Sequence, residues 1–184
     1  MDEKRIIALF LRTRSEEAFC ELFVVVYPRV CRYFRLRGID QMMAEDLAQN
    51  VLLVVFQRSG ELREADLFLG WVFAIARNEL LRSWRQSRAR IQTVEFDSVE
   101  MESNHHFHLE PPFMQDARFY EWLKYLEPTE RELVILRFVE ELSYEDLALV
   151  FGVPLGTVKW RLFQVKKKLT KIIRAEFPDQ VFIN

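Results

Sequence analysis

Gly152-Val153-Pro154 lies between two runs of helical apolar periodicity, and this corner constrains the chain more than any other stretch. Ser143 is suited to cap the helix before it, and Asp146 three residues later supports the first turn. Leu147, Ala148, Val150 and Phe151 supply that helix with an apolar stripe. Gly152 tolerates a left-handed exit, and Pro154 fixes φ for the start of the next helix. There Val158, Leu162, Val165, Leu169 and Ile172 recur at helical spacing and predict one buried face. Thr157, Lys159, Trp160, Arg161, Gln164, Lys167, Lys168 and Lys171 fall on the other faces. This is the layout of a helix-turn-helix whose second helix enters the major groove of DNA. The alternative is a helical hairpin with a solvated basic face. Against it, Val158 to Ala175 holds seven positive charges and no acidic residue, so no local ion pairs balance them. Trp160 and Phe163 also project off the apolar stripe, where an unengaged helix does not place large aromatics.

A chain of 184 residues can form one domain or two small ones. With half its residues hydrophobic and only five glycines, packed helices are favoured over a β-sandwich or disorder. The formal net charge of -2 excludes a generally basic DNA coat, but charge is sorted along the sequence. Cys20 and Cys31, if on one helix, stand about 16 Å apart and cannot bridge, which fits free thiols in a reducing compartment. No uncharged apolar run is long enough to span a bilayer, and the start MDEKR has no signal-peptide pattern, so a cytoplasmic protein without membrane insertion is expected. There is no Gly-rich phosphate loop, paired nucleophile and base, or metal-ligand spacing. Neither an enzymatic role nor a cofactor is expected.

Glu3 to Arg12 suggests a short amphipathic helix, and Ser15-Glu16-Glu17 opens a second with a cap and an acidic first turn. Pro28 is expected to kink or interrupt it before it stops near Gly38, and the Arg-rich run Arg29 to Arg37 reads as a solvated face. From Ala44 to Gln57, Leu47, Val51, Val54 and Val55 form one stripe, while Leu52, Leu53 and Phe56 lie beyond it among Glu45, Asp46 and Gln49. Such a helix is either buried on two sides or docks on a partner. Arg58 to Ala65 reads as a loop, followed by a long helix from about Asp66 to Ala89. Trp71, Asn78, Arg82 and Arg85 share one stripe of it, with Arg77 and Arg88 alongside. Ring, amide and guanidinium groups on one face suit single-stranded or distorted DNA, although Trp71 also fits a core position.

Thr93 to Asp116 carries Glu95, Asp97, Glu100, Glu102, Glu110 and Asp116, with no Lys or Arg, and Pro111-Pro112. It reads as an acidic linker between two helical domains. His105, His106 and His108 lie within it without a fixed scaffold or a nearby Cys, so linker histidines fit better than a metal site. Beyond it, Phe119, Trp122, Leu123 and Leu126 mark a helix, and Pro128 starts another with Leu133, Leu136 and Val139.

Taken together, AFCELFVVVYPRVCRYF, AEDLAQNVLLVVF and GWVFAIARNELLRSWR resemble the second region of the extracytoplasmic-function group of bacterial sigma factors. LEPTERELVILRFVEELSYEDLALVFGVPLGTVKWRLFQVKKKL resembles the fourth. The resemblance runs from Glu16 to about Ile173, apart from the linker. It implies an all-α fold of two small helical domains joined by the acidic linker, at 1–91, 92–116 and 117–184, the last containing the helix-turn-helix. It also implies three partners: core RNA polymerase (through the largest subunit's clamp coiled coil and the flap), promoter DNA and an anti-sigma factor.

Carried over residue by residue, the resemblance assigns Glu45, Asp46, Gln49 and Leu53 to core polymerase. It assigns the loop with Arg58, Ser59 and Arg63 to a flipped base of the minus-ten element. Trp71, Arg77, Asn78, Arg82 and Arg85 go to melting and reading that element. Leu155, Thr157, Lys159, Trp160, Arg161, Gln164, Lys167 and Lys168 go to the minus-thirty-five element. Three residues depart from the family pattern: Arg82 stands where many members have Asp, Trp160 where a small residue is usual, and Gln164 where a basic one is common. An unusual promoter consensus follows. Two other readings remain in view: an autonomous helix-turn-helix regulator, and a sigma-like protein that binds polymerase or an anti-sigma without initiating.

Overall fold

The computed structural model describes residues 3–62, 64–92 and 117–176, the side chains of 87–92, 117–118 and 176 excepted. Every long element is a helix. Helix α1, Glu3–Thr13, buries Ile6, Ile7 and Phe10. Arg14 then reverses the chain at φ 51, and Ser15 caps α2, Glu16–Leu36, by accepting from the Ala18 N–H at 3.2 Å. Asp40 caps α3, Gln41–Arg58, in the same way through Met43 N–H at 3.0 Å. Two 3-10 turns, Ser59–Glu61 and Ala65–Leu67, lead into α4, Phe68–Gln92. Phe10, Phe19, Phe56 and Phe68 meet with ring centroids 4.8 to 6.5 Å apart, so one aromatic cluster pins all four helices.

Two expectations are corrected and a third is divided. Pro28 does not interrupt α2, which runs unbroken from Glu16 to Leu36. Its missing hydrogen bond falls on the carbonyl of Val24, and both residues face solvent, while Leu22, Val26, Val30 and Tyr33 are fully buried on the other side. Water can solvate the freed carbonyl, and packing holds the helix through the break. In the last helix Ile173 is buried, while Ile172 is only half-buried. In α3, Leu52 is buried and Leu53 exposed, so the extra apolar face divides between the two readings offered for it.

The second helical region begins with α5, Ala117–Leu123, and α6, Pro128–Val134, which has Pro at its start and the Glu130 carboxylate accepting from Glu127 N–H at 3.0 Å. A π-helical turn, Ile135–Val139, follows, with Glu140 N–H reaching back to the Ile135 carbonyl at 3.1 Å. Helix α7, Tyr144–Phe151, carries the expected capping box: Asp146 N–H donates to Ser143 Oγ at 2.9 Å, and Ser143 N–H donates to Asp146 Oδ2 at 3.0 Å. Gly152, at φ 62 and ψ 37, closes α7 in the left-handed conformation that glycine tolerates, and α8, Leu155–Glu176, begins after Pro154.

The two regions share one core. Helix α7 lies along α4, and the first-turn N–H of Gly70 donates to Asp146 Oδ1 at 3.0 Å. That N–H has no acceptor within its own helix. Asp146 therefore caps its own helix through one oxygen and α4 through the other. A Cβ on Gly70 would lie 2.6 Å from Asp146 Oδ1 and 2.7 Å from its Cα, so the approach demands glycine. Among the described residues, no helix is long and apolar enough to cross a membrane.

Candidate functional site

Helix α8 buries Val158, Leu162 and Val165 and turns Lys159, Trp160, Gln164 and Lys167 outward. Leu155, Thr157, Arg161 and Lys168 are half-buried beside them. Trp160 is 61% exposed and Phe163 62%. Trp160, Arg161 and Gln164 edge a cavity of about 270 Å³ whose other wall includes Thr129, Glu130, Phe151 and Val153. The cations here are only lightly engaged: Lys159 Nζ stands 5.8 Å above the Tyr144 ring, and Lys166 Nζ 5.5 Å above Phe138. Lys168 is the exception, paired with Glu130 at 2.7 Å. An amide, an indole and several cations on one protruding helix can meet base edges and phosphates in a groove.

On α4, Asn78, Arg82 and Arg85 are exposed, with Arg82 3.8 Å from Glu79 and Arg85 Nε donating to the Leu81 carbonyl at 3.2 Å. Trp71 is half-buried against Phe68. Arg77 leaves the stripe and faces the second region, its Nε 3.5 Å from Glu132 and its guanidinium 5.3 Å from the Phe151 ring. In the preceding loop Arg58 forks onto Glu61 at 2.6 to 3.1 Å, which holds the Glu61 carboxyl below its ordinary pKa. The Ser59 hydroxyl is buried on the Phe56 carbonyl at 3.1 Å, so here it serves the turn, and Arg63 lies outside the described residues. So do Arg88's side chain, the linker acids and the three histidines.

On α3, Asp46 and Gln49 are exposed, Leu53 is 54% exposed, and Glu45 is half-buried with Gln41 donating to it at 2.9 Å. Met42, 75% exposed, was missed by sequence reasoning. Its signal was present: residues 42, 46, 49 and 53 follow the i, i+4, i+7, i+11 spacing of one helix face.

The largest departure from expectation concerns Arg29 to Arg37. These arginines are not a solvated face. Glu140, with no exposed surface, accepts from Arg29 Nε at 3.1 Å and from both forks of Arg32 at 2.8 Å. Glu132, also buried, accepts from the Tyr33 hydroxyl at 2.5 Å and lies 3.7 Å from Arg37. Burial, reinforced by the Glu132 charge, pushes the Tyr33 phenol well above its ordinary pKa. Arg29 also meets Glu3. Local sequence gives no hint of this, because the carboxylates lie about a hundred residues away.

Residues 22–90 match the family described as Sigma-70 region 2, and residues 117–169 match Sigma-70, region 4. The ECF RNA polymerase sigma factor SigE of Mycolicibacterium smegmatis is 32% identical over 174 residues, covering 91% of this chain and 67% of the relative. The ECF RNA polymerase sigma factor RpoE of Cereibacter sphaeroides is 29% identical, with 81% and 82% covered. Among solved structures, CnrH in complex with the cytosolic domain of CnrY superposes with a TM-score of 0.64 at 21% identity, over 95% of this chain and 99% of that one. The sigma factor RpoE in complex with the anti-sigma factor NepR from Bartonella quintana gives 0.62 at 23%, over 86% and 98%. These two likenesses are of fold.

Proposed function

The chain belongs to the extracytoplasmic-function group of the sigma-70 family, and from that premise we propose how its surfaces divide the work of starting transcription. It is a sigma factor that directs RNA polymerase to promoters, and it is not an enzyme. The observation that carries this is the presence of region 2 and region 4 matches, in that order, within one all-α chain.

The division of labour follows the domains 1–91 and 117–184, joined by the acidic linker 92–116. The α3 face of Asp46, Gln49 and Leu53, flanked by Glu45, docks on core polymerase. Its exposed apolar residue within a polar rim suits a protein partner. Asn78, Arg82 and Arg85, with Trp71, hold the melted minus-ten element, and the loop of Arg58, Ser59 and Arg63 receives a flipped base. Flipping costs a few kcal/mol, which stacking and hydrogen bonds in the pocket offset, so melting accompanies recognition. Helices α7 and α8 form the helix-turn-helix that reads the minus-thirty-five element with Thr157, Lys159, Trp160, Arg161 and Gln164. Leu155 sits at its entry, and Lys167 and Lys168 lie at the phosphates. The protein works in the cytoplasm. An anti-sigma factor is its regulator, a proposal supported by the solved complexes of CnrH with CnrY and of RpoE with NepR.

The test is promoter-dependent transcription by core polymerase with and without the protein, beside Asp46→Arg and Lys159→Ala. Specific transcripts lost in both variants support initiation through both domains. Core binding without transcripts favours a sigma-like protein that does not initiate. Specific DNA binding with no association to core makes it an autonomous regulator.

A further inference from the structure

Two residues at the corner where α1 meets the loop after α3 look exchanged. Arg14 sits at φ 51, in the left-handed region that glycine occupies without strain. Gly60 sits in the 3-10 turn Ser59–Glu61, with no left-handed backbone to require it. The two account for each other. A Cβ on Gly60 would lie 3.2 Å from Arg14 Nη1 and 3.6 Å from its Cζ, so the guanidinium rests against the place where another residue's side chain would begin. The Arg14 N–H closes α1 on the Phe10 carbonyl at 2.8 Å. The Phe10 ring in turn lies 6.5 Å from Phe56, near the end of α3, and 6.4 Å from Phe68, at the start of α4. The strained corner is thus fixed to the same aromatic cluster that carries the loop.

What the corner holds there is an unpaired cation. Arg14 is exposed, and among the described residues no carboxylate pairs with its guanidinium, Glu16 and Glu17 close by in sequence included. Arg58, the arginine of the turn itself, forks onto Glu61 at 2.6 to 3.1 Å, so those two charges cancel. Helix α1 does not need Arg14 for its dipole, because Arg12 already stands in its last turn. Backbone strain that serves no packing or capping need points to a binding contact. A single strand with one base extruded presents the phosphates on either side of that base, and guanidinium matches a phosphate in charge and geometry.

We propose that Arg14 holds a backbone phosphate beside the flipped base of the minus-ten element, supplying the positive charge that Arg58, held by Glu61, does not. The inference rests on the reading of this loop and α4 as the holder of the melted element. Gly60, exposed and without a side chain, leaves the guanidinium open to the strand.

The experiment uses holoenzyme and a forked DNA, double-stranded upstream and single-stranded over the melted element, selected by wild-type holoenzyme from a randomised pool. Affinity is read by anisotropy across a potassium chloride series, and the stability of the free protein by urea unfolding. Arg14→Gly relieves the backbone and removes the cation. It is expected to raise the urea midpoint while weakening binding of the forked DNA about fivefold, with a salt slope shallower by about 0.7. Arg14→Asn, which also tolerates the left-handed region, should behave alike, and Arg14→Lys should keep the wild-type slope. Neutral methylphosphonates, placed at one phosphate at a time, locate the contact: at a position beside the extruded base, Arg14→Gly should weaken binding no further. Unchanged affinity in Arg14→Gly, or a loss equal at every methylphosphonate position, overturns the proposal. So does a lowered urea midpoint in both the glycine and asparagine variants, which would make Arg14 a structural residue. Arg85→Ala separates this failure from that of the premise. If it weakens binding and Arg14→Gly does not, the melted-element reading stands and the proposal falls alone. If neither weakens binding, that reading falls and the proposal with it.

Discussion

Gly70 donates its backbone N–H to Asp146 Oδ1 across 76 residues of sequence, at 3.0 Å. Asp146 is 6% exposed and serves two helix starts at once. Asp146→Ala should cost about 2 kcal/mol or more in urea unfolding, because a cap is lost and a buried donor is stranded. Ser143→Ala removes only the local cap. Equal losses for the two variants would mean that the bond to Gly70 contributes nothing.

Tyr33 and Glu132 give a second handle on the seam. Tyr33→Phe leaves the buried carboxylate short of a donor and should destabilise the protein by about 1–3 kcal/mol at neutral pH. The phenol's pKa is raised in the folded state by burial and by Glu132, so its contribution is fully present below the unfolded value near 10 and is lost as pH rises through the folded value. Urea midpoints from pH 8 upward should fall less steeply in Tyr33→Phe than in wild type. Parallel curves would count against this assignment.

Trp160 is exposed, so Trp160→Ala should leave stability within about 0.5 kcal/mol of wild type. Its effect belongs in promoter affinity, with a loss of about tenfold in holoenzyme competition assays if the indole contacts a base. An unchanged affinity and unchanged base preference at the upstream element would remove Trp160 from the reader.

Leu53 is exposed on the outer face of α3, in line with Met42 about 16 Å away along the helix. Leu53→Asp should weaken core polymerase binding about tenfold, as loss of a docking anchor does, with the helical signal intact. Wild-type affinity in that variant would move the docking face elsewhere.

Pro28→Ala should stabilise the protein by about 1–3 kcal/mol, since it restores the bond to the Val24 carbonyl and relieves the ring's clash with the preceding turn. A destabilised variant would mean that the proline ring itself contributes to the stability of α2.

Much of the molecule was legible where causes are local. The cap at Ser143, the left-handed Gly152 and the apolar face of Val158, Leu162 and Val165 each follow from residues within a few turns. Pro28 misled because propensity was weighed without the four-helix aromatic core that holds α2 on its far side. The outward stripe of α4 was legible as a stripe, but the capture of Arg77 was not. Nor was the role of Arg29 to Arg37, since a basic run reads as solvated until its acids, brought in by tertiary folding, are known. Met42 was readable and overlooked.

The π-helical turn at Ile135–Val139 aims Glu140. An extra residue in one turn rotates everything after it by about 100°, and Glu140 is the first residue past the widened turn. Delete one residue between 135 and 139 and the helix regains its ordinary winding, while Glu140 swings from the arginines toward water. One residue of winding thus decides whether Glu140 meets Arg29 and Arg32, while Glu132, ahead of the turn, keeps its own partners.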